Sequence, residues 1–126
     1  MDKQLPALQN LTGMVLDAER MKLQQIVLAE QKISEQIREL DGEGNKRAAQ
    51  LLAKGGTDAA LLAGADVRWQ SWVQQQKREL NIRRAALLAT QEEQHQKAQK
   101  AFGKDEAVRG LLEKSAKEAR MKSRRA

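Results

Sequence analysis

His95 is the single histidine of this 126-residue chain, and it lies between Gln94 and Gln96. An imidazole can relay protons or bind a metal. A metal needs several convergent donors, and the chain has no second histidine and no cysteine. Glu92 and Glu93 are adjacent carboxylates that could do acid–base work. That role needs a water-excluding pocket to perturb their pKa. Gly55–Gly56 lacks the Gly-Lys-Ser/Thr that completes a phosphate loop. No serine is placed beside a histidine that could serve as its base. These residues predict no catalytic centre, no metal site and no cofactor, and hence a protein that is not an enzyme.

The elements that would hold such residues explain why no pocket is expected. The chain is 40% hydrophobic but only 2% aromatic, so it lacks the large rings that usually fill a globular core. Ala, Leu, Gln, Glu, Lys and Arg dominate, and these are strong helix formers. One heptad register places Leu16, Leu23, Glu30, Ile37, Gly44 and Leu51 in one row. Glu19, Ile26, Ile33, Leu40 and Arg47 form the companion row. Such a seam seeks a partner helix. Pro6 is tolerated in a first helical turn. Gly42 and Gly44 each cost roughly 1 kcal/mol against alanine, which predicts a bend or fraying there.

Gly55–Gly56–Thr57–Asp58 is the strongest break. Gly55 suits a left-handed helix end, and Thr57 or Asp58 suits the next N-cap. Asp66, after Gly64–Ala65, is a second candidate cap, so residues 58–65 form either an extension of the second helix or a short separate turn, with an interrupted tip over 53–66 favoured. From Val67 the helical pattern resumes. Leu80, Leu87, Gln94, Ala101, Val108 and Ser115 form one row, and Arg84, Gln91, Ala98, Asp105, Leu112 and Ala119 the other. Five acidic-to-basic pairs four residues apart support the exposed face: Glu79/Arg83, Glu93/Lys97, Asp105/Arg109, Glu113/Lys117 and Glu118/Lys122.

The expected fold is therefore all-α, a long antiparallel two-helix coiled-coil hairpin forming a single domain over residues 1–126. Helix 1 is expected over about 4–52, the tip over about 53–66 and helix 2 over about 67–122. Folding about the glycine pair would bring residue 5 near residue 106, and helix 2 would overhang by about twenty residues. Two helices bury little surface, so marginal stability or self-association is expected. No apolar run reaches the roughly 20 residues of a bilayer span. The N-terminus carries no signal-peptide pattern. The expected location is cytoplasmic.

The net charge of +6 arises wholly in the second half: residues 57–126 hold fifteen basic and nine acidic side chains. An acidic partner or a solvated face are the two readings of that asymmetry. Lys114, Lys117, Arg120, Lys122, Arg124 and Arg125 concentrate near the C-terminus. They could bind phosphates, acidic protein loops or the negative end of their own helix. No aromatic residue is interleaved, which disfavours nucleic acid. Trp69 and Trp72 are three residues apart, either packed near the tip or exposed as partner anchors. Phe102 poses the same choice, with packing favoured.

The stretch Lys97–Lys114 resembles the C-terminal portion of the FliJ family of flagellar type III export components. It shows the alanines Ala98, Ala101 and Ala107, the basic Arg109, then Leu111, Leu112 and Lys114. Trp69 to Leu80 is similar to the segment after that family's hairpin tip. The chain departs from the family in its glycine-rich connector and in lacking an acidic tail after Lys122. The resemblance implies a non-enzymatic stalk or adaptor inserted into the export ATPase ring, as the γ subunit is in rotary ATPases. It implies that Ala98, Ala101, Arg109, Leu111, Leu112, Lys114, Lys117 and Arg120 face the ATPase ring. Trp69, Trp72 and Val73 would lie on the side of the export gate. Export chaperones are further implied partners, with peripheral association to a membrane export complex and no small-molecule substrate. Two other classes fit the residues alone: a basic coiled-coil binder of nucleic acid or an anionic surface, and a self-assembling structural scaffold.

Overall fold

Helix-forming residues with a three–four apolar repeat fold into two long helices in a computed structural model of the chain. The structure describes residues 4–54 and 59–125, and their side chains except those of residues 51, 52, 54 and 59–63. Helix α1 spans Gln4–Lys54 and helix α2 spans Ala59–Arg125. The fold is an all-α helical hairpin. The break expected at Gly55–Asp58, the caps expected there and the packing of Leu51 lie outside the described residues.

Both helices run further than expected among the described residues. α1 continues through Gly42 and Gly44, and no described glycine has a positive φ. The cost of a glycine is modest beside the cooperative gain of flanking helix. α2 begins at Ala59 rather than near residue 67. Asp66 is consequently an interior helical residue and not a cap. Its carboxylate accepts a hydrogen bond from Gln70 Nε2 (3.1 Å) and lies 3.5 Å from Arg47 Nε.

The chain divides into two compact units. The first comprises Met1–Ile26 with Thr90–Ala126, and the second Val27–Ala89. In the first, Leu16 of α1 and Ala98, Ala101 and Val108 of α2 are buried. Small alanines let the helix backbones approach closely around the larger leucine. Two polar rungs interrupt this apolar seam. Gln94 donates from Nε2 to the Glu19 carbonyl (3.0 Å) and to the Glu19 carboxylate. Asp105, only 1% exposed, accepts from Thr12 Oγ1 (2.8 Å) and pairs with Arg109 (3.0 Å). Residue 12 meets 105 while residue 19 meets 94, so the helices run antiparallel. Leu5 shares a groove with Leu111, Lys114, Ser115 and Glu118, so it faces a later part of α2 than residue 106. The stretch of α2 beyond that groove is correspondingly shorter than twenty residues.

The second unit repeats the plan with more charge. Ile33, Ile37 and Leu40 of α1 are half-buried, as are Leu80 and Leu87 of α2, while Val73 is fully buried. Arg84 donates from Nε to Glu30 (2.8 Å), which also accepts from Ser34 Oγ (2.8 Å). Lys77 pairs with Asp41 across the helices. Of the five expected pairs within α2, Asp105–Arg109 closes; the other four stay beyond ion-pair distance.

Two cross-helix carboxylates are held below their ordinary pKa of 4.5. For Glu19 the main cause is the Gln94 hydrogen bond, opposed by partial desolvation and aided by Lys22 and Lys97. For Glu30 it is the Arg84 hydrogen bond, then that of Ser34. A carboxyl with a lower pKa in the folded state adds stability above its unfolded value and loses it as pH falls through the folded value. Thermal melts followed by circular dichroism should show a falling Tm below about pH 4.5, and Glu30→Gln should flatten that fall.

Asp105 yields a sharper expectation. Asp105→Ala removes the charged hydrogen bond from Thr12, whose hydroxyl keeps only the Gln9 carbonyl (3.1 Å), and leaves a gap in the seam, costing about 1–3 kcal/mol. Asp105→Leu restores an apolar seam position and should lie within about 1 kcal/mol of the parent, or above it, because a buried charge pays a desolvation penalty. Chemical denaturation of the two variants measures the difference, and an equal loss in both would contradict this account.

Candidate docking surfaces

The helical seam turns some residues inward and leaves others exposed to solvent. Ala98 and Ala101 are buried between the helices of the first unit. The expectation that they touch a partner directly is therefore corrected: their methyls are spent on the intramolecular seam. Ala107, further along α2, is exposed. Leu112 is half-buried on the same inward side. Arg109 is exposed but tied to Asp105. Leu111, Lys114, Lys117 and Arg120 face outward.

The outward group has a defined surface. Leu5 and Leu8 of α1, with Leu111 of α2, line an open groove of about 450 Å³. Gln4, Lys114, Ser115 and Glu118 rim it. Leu8 and Leu111 are each about half exposed, so the groove is apolar and open to solvent. Next to it along α2, Lys117, Arg120, Met121 and Arg124 form a shallow basic surface. Among the described residues, none of the three cations Lys117, Arg120 and Arg124 makes an ion pair, which leaves their charge available. The concentration of basic residues was legible in the sequence. Leu5 and Leu8 were not singled out there, because their pairing with Leu111 depends on register.

The tryptophans separate. Trp69 is half-buried, with the Arg47 guanidinium 4.8 Å above its ring. Arg47 bridges onward to Asp66. Trp69 also lines a groove beside Gly44 and Ala48, small residues that leave room for an indole. Trp72 is half exposed. Val73 is buried, so the expectation that it faces a partner is also corrected. Phe102 stays half exposed, covered on one side by Arg20 at 5.8 Å. The cation above each ring adds an attraction of about 0.5–1 kcal/mol at such sites.

Candidate chemistry stays dispersed. His95 is exposed, with Gln99 Nε2 at 3.2 Å as its side-chain neighbour. Among the described residues no group of three or more His, Asp or Glu side chains could hold a metal ion. No helix among them is long and apolar enough to cross a membrane. No family model, curated protein or solved structure matches the chain.

The two indoles give a direct contrast. Trp69→Ala should cost about 2 kcal/mol, roughly half the penalty of a fully buried tryptophan. Trp72→Ala should stay within about 0.5 kcal/mol of the parent. Urea unfolding monitored at the amide band tests both, and a larger loss at Trp72 would reverse the assignment.

Proposed function

We propose that this protein is a non-enzymatic adaptor of a flagellar type III export apparatus. In this reading the export ATPase ring grips the unit that carries both chain termini. The unit that carries the connector contacts the export gate. The observation that carries the reading is the apolar groove of Leu5, Leu8 and Leu111 beside the unpaired basic surface of Lys117, Arg120 and Arg124. An apolar anchor with a charged rim is the usual anatomy of a protein interface. The basic rim selects an acidic partner and speeds its approach.

The partner's identity rests on the resemblance of Lys97–Lys114 to the FliJ family. Leu111, Lys114, Lys117 and Arg120 are the residues of that set left free to meet a ring. Ala98, Ala101 and Leu112 would act by holding α2 in place, and Arg109 by closing on Asp105. Trp72, half exposed, is the gate-side candidate, whereas Trp69 and Val73 support the surface from beneath. The protein would then work on the cytoplasmic side of a membrane export complex.

Reversal of charge at Lys114, Lys117 and Arg120 to glutamate should weaken binding to a hexameric export ATPase about tenfold or more while leaving helicity intact. Raised salt should weaken the parent complex in the same direction. A pull-down in which the parent chain retains neither an export ATPase nor a gate component would remove the proposal. Salt-sensitive retention of duplex DNA instead, at about physiological ionic strength, would assign the same basic surface to nucleic acid.

A further inference from the structure

In the first unit, α1 carries a second apolar row. Ala7, Leu11, Met14, Ala18 and Met21 follow one another at alternating steps of four and three residues. That is the spacing of a coiled-coil seam. At 100° per residue the row lies roughly 160° around the helix from the seam that meets α2. All five residues are exposed, and Met14 is 70% accessible.

Single exposed apolar residues are ordinary, but a contiguous row with heptad spacing is not. The matching outer positions of α2 in the same unit are Gln96, Lys100, Gly103, Ala107, Gly110 and Lys114, with no large apolar residue. In the second unit the row ends one position in: the same positions of α1 are Leu28, 57% exposed, and then Lys32, Glu35, Glu39, Gly42 and Lys46. The row is therefore a local feature of α1 and does not follow from composition.

We infer that this row is a dimer interface, paired in parallel and in register with the same stretch of a second copy of the chain. The flanking charges choose the occupant and its direction. Asp17 borders the row on one side and Lys22 on the other, five residues later. In a parallel in-register pair, a residue on the first flank meets the partner residue five positions on, across the seam. Asp17 of each copy then faces Lys22 of the other, and the twofold axis forms this ion pair twice. An antiparallel pair would set Asp17 against itself, Asn10 or Gln24, and Lys22 against Leu8 or Val15. Lys22 is available for this role: it is largely exposed, and its contact with Glu19 is long at 3.7 Å. Asn10 and Gln24 are neutral, so no like charges oppose the alignment. Ala18 at mid-row permits close approach of the two backbones.

The full chain should sediment as a monomer–dimer mixture whose dimer fraction rises with concentration. Leu11→Glu with Met14→Glu should weaken dimerisation about tenfold or more without loss of helicity, since both side chains are exposed. Asp17→Lys alone should weaken it, and adding Lys22→Asp should restore it. The chain has no cysteine, so introduced thiols report geometry cleanly. Under mild oxidation Ala7→Cys and Met21→Cys should each cross-link to itself, with little mixed product when combined. A monomer at all concentrations up to about 1 mM would overturn the inference. So would a dimer untouched by the double glutamate variant, or predominant mixed cross-links, which mark antiparallel pairing. Sedimentation of the monomeric chain with anionic lipid vesicles, abolished by that same variant, would reassign the row to a membrane surface.

Discussion

The narrow seam between α1 and α2 is the constraint from which the remaining features follow. A helix paired with one other can turn only a stripe of its surface away from water. Leu16, Ala98, Ala101, Val108 and Val73 reach full burial; most other seam residues remain half covered. With so little apolar area to bury, polar cross-helix bonds carry much of the alignment. Thr12–Asp105, Glu19–Gln94, Glu30–Arg84 and Asp41–Lys77 each fix one residue of α1 to one of α2. Apolar contacts are tolerant of sliding, whereas a buried carboxylate such as Asp105 is satisfied at one register only.

The same narrowness governs function. A pair of helices without a deep enclosed core offers surfaces, and the surfaces here are unequal. The outer face of α2 in the first unit is polar and glycine-containing, while that of α1 is apolar. Near the termini the seam opens into a groove bordered by uncompensated lysine and arginine. Under the two proposals these faces take partners of different kinds: an acidic protein surface for the basic end, and a matching apolar helix for the outer row of α1. Both proposals use side chains that the intramolecular seam leaves free, and neither requires α1 and α2 to separate.

Much of the helical architecture could be read from residue order because a heptad pattern encodes which side of a helix is buried. The rows Leu16–Leu23–Ile37 and Gln94–Ala101–Val108 are the inward rows of the structure. The candidate site was less legible. Ala98, Ala101 and Val73 were candidates for partner contact, yet each lies on an inward row and is consumed there. Leu5 and Leu8 carry no sequence signal of their pairing, because their partner Leu111 lies more than one hundred residues away. The second row on α1 is present in the spacing of Leu11, Met14, Ala18 and Met21, but spacing alone does not tell a second seam from scattered surface methionines; their common exposure does.

Residue order by itself determined the helical class, the one reversal of direction and the identity of the inward rows. These are local matters of propensity and of period. Tertiary structure decided how far one helix is slid along the other, and with it which half of each row meets which. It placed α2's first turn at Ala59, set Arg47 over Trp69 while leaving Trp72 open, and buried Asp105 beside Thr12. Sliding by one heptad preserves every periodic signal, so only the non-periodic pairings, made across the fold, could choose among the alignments.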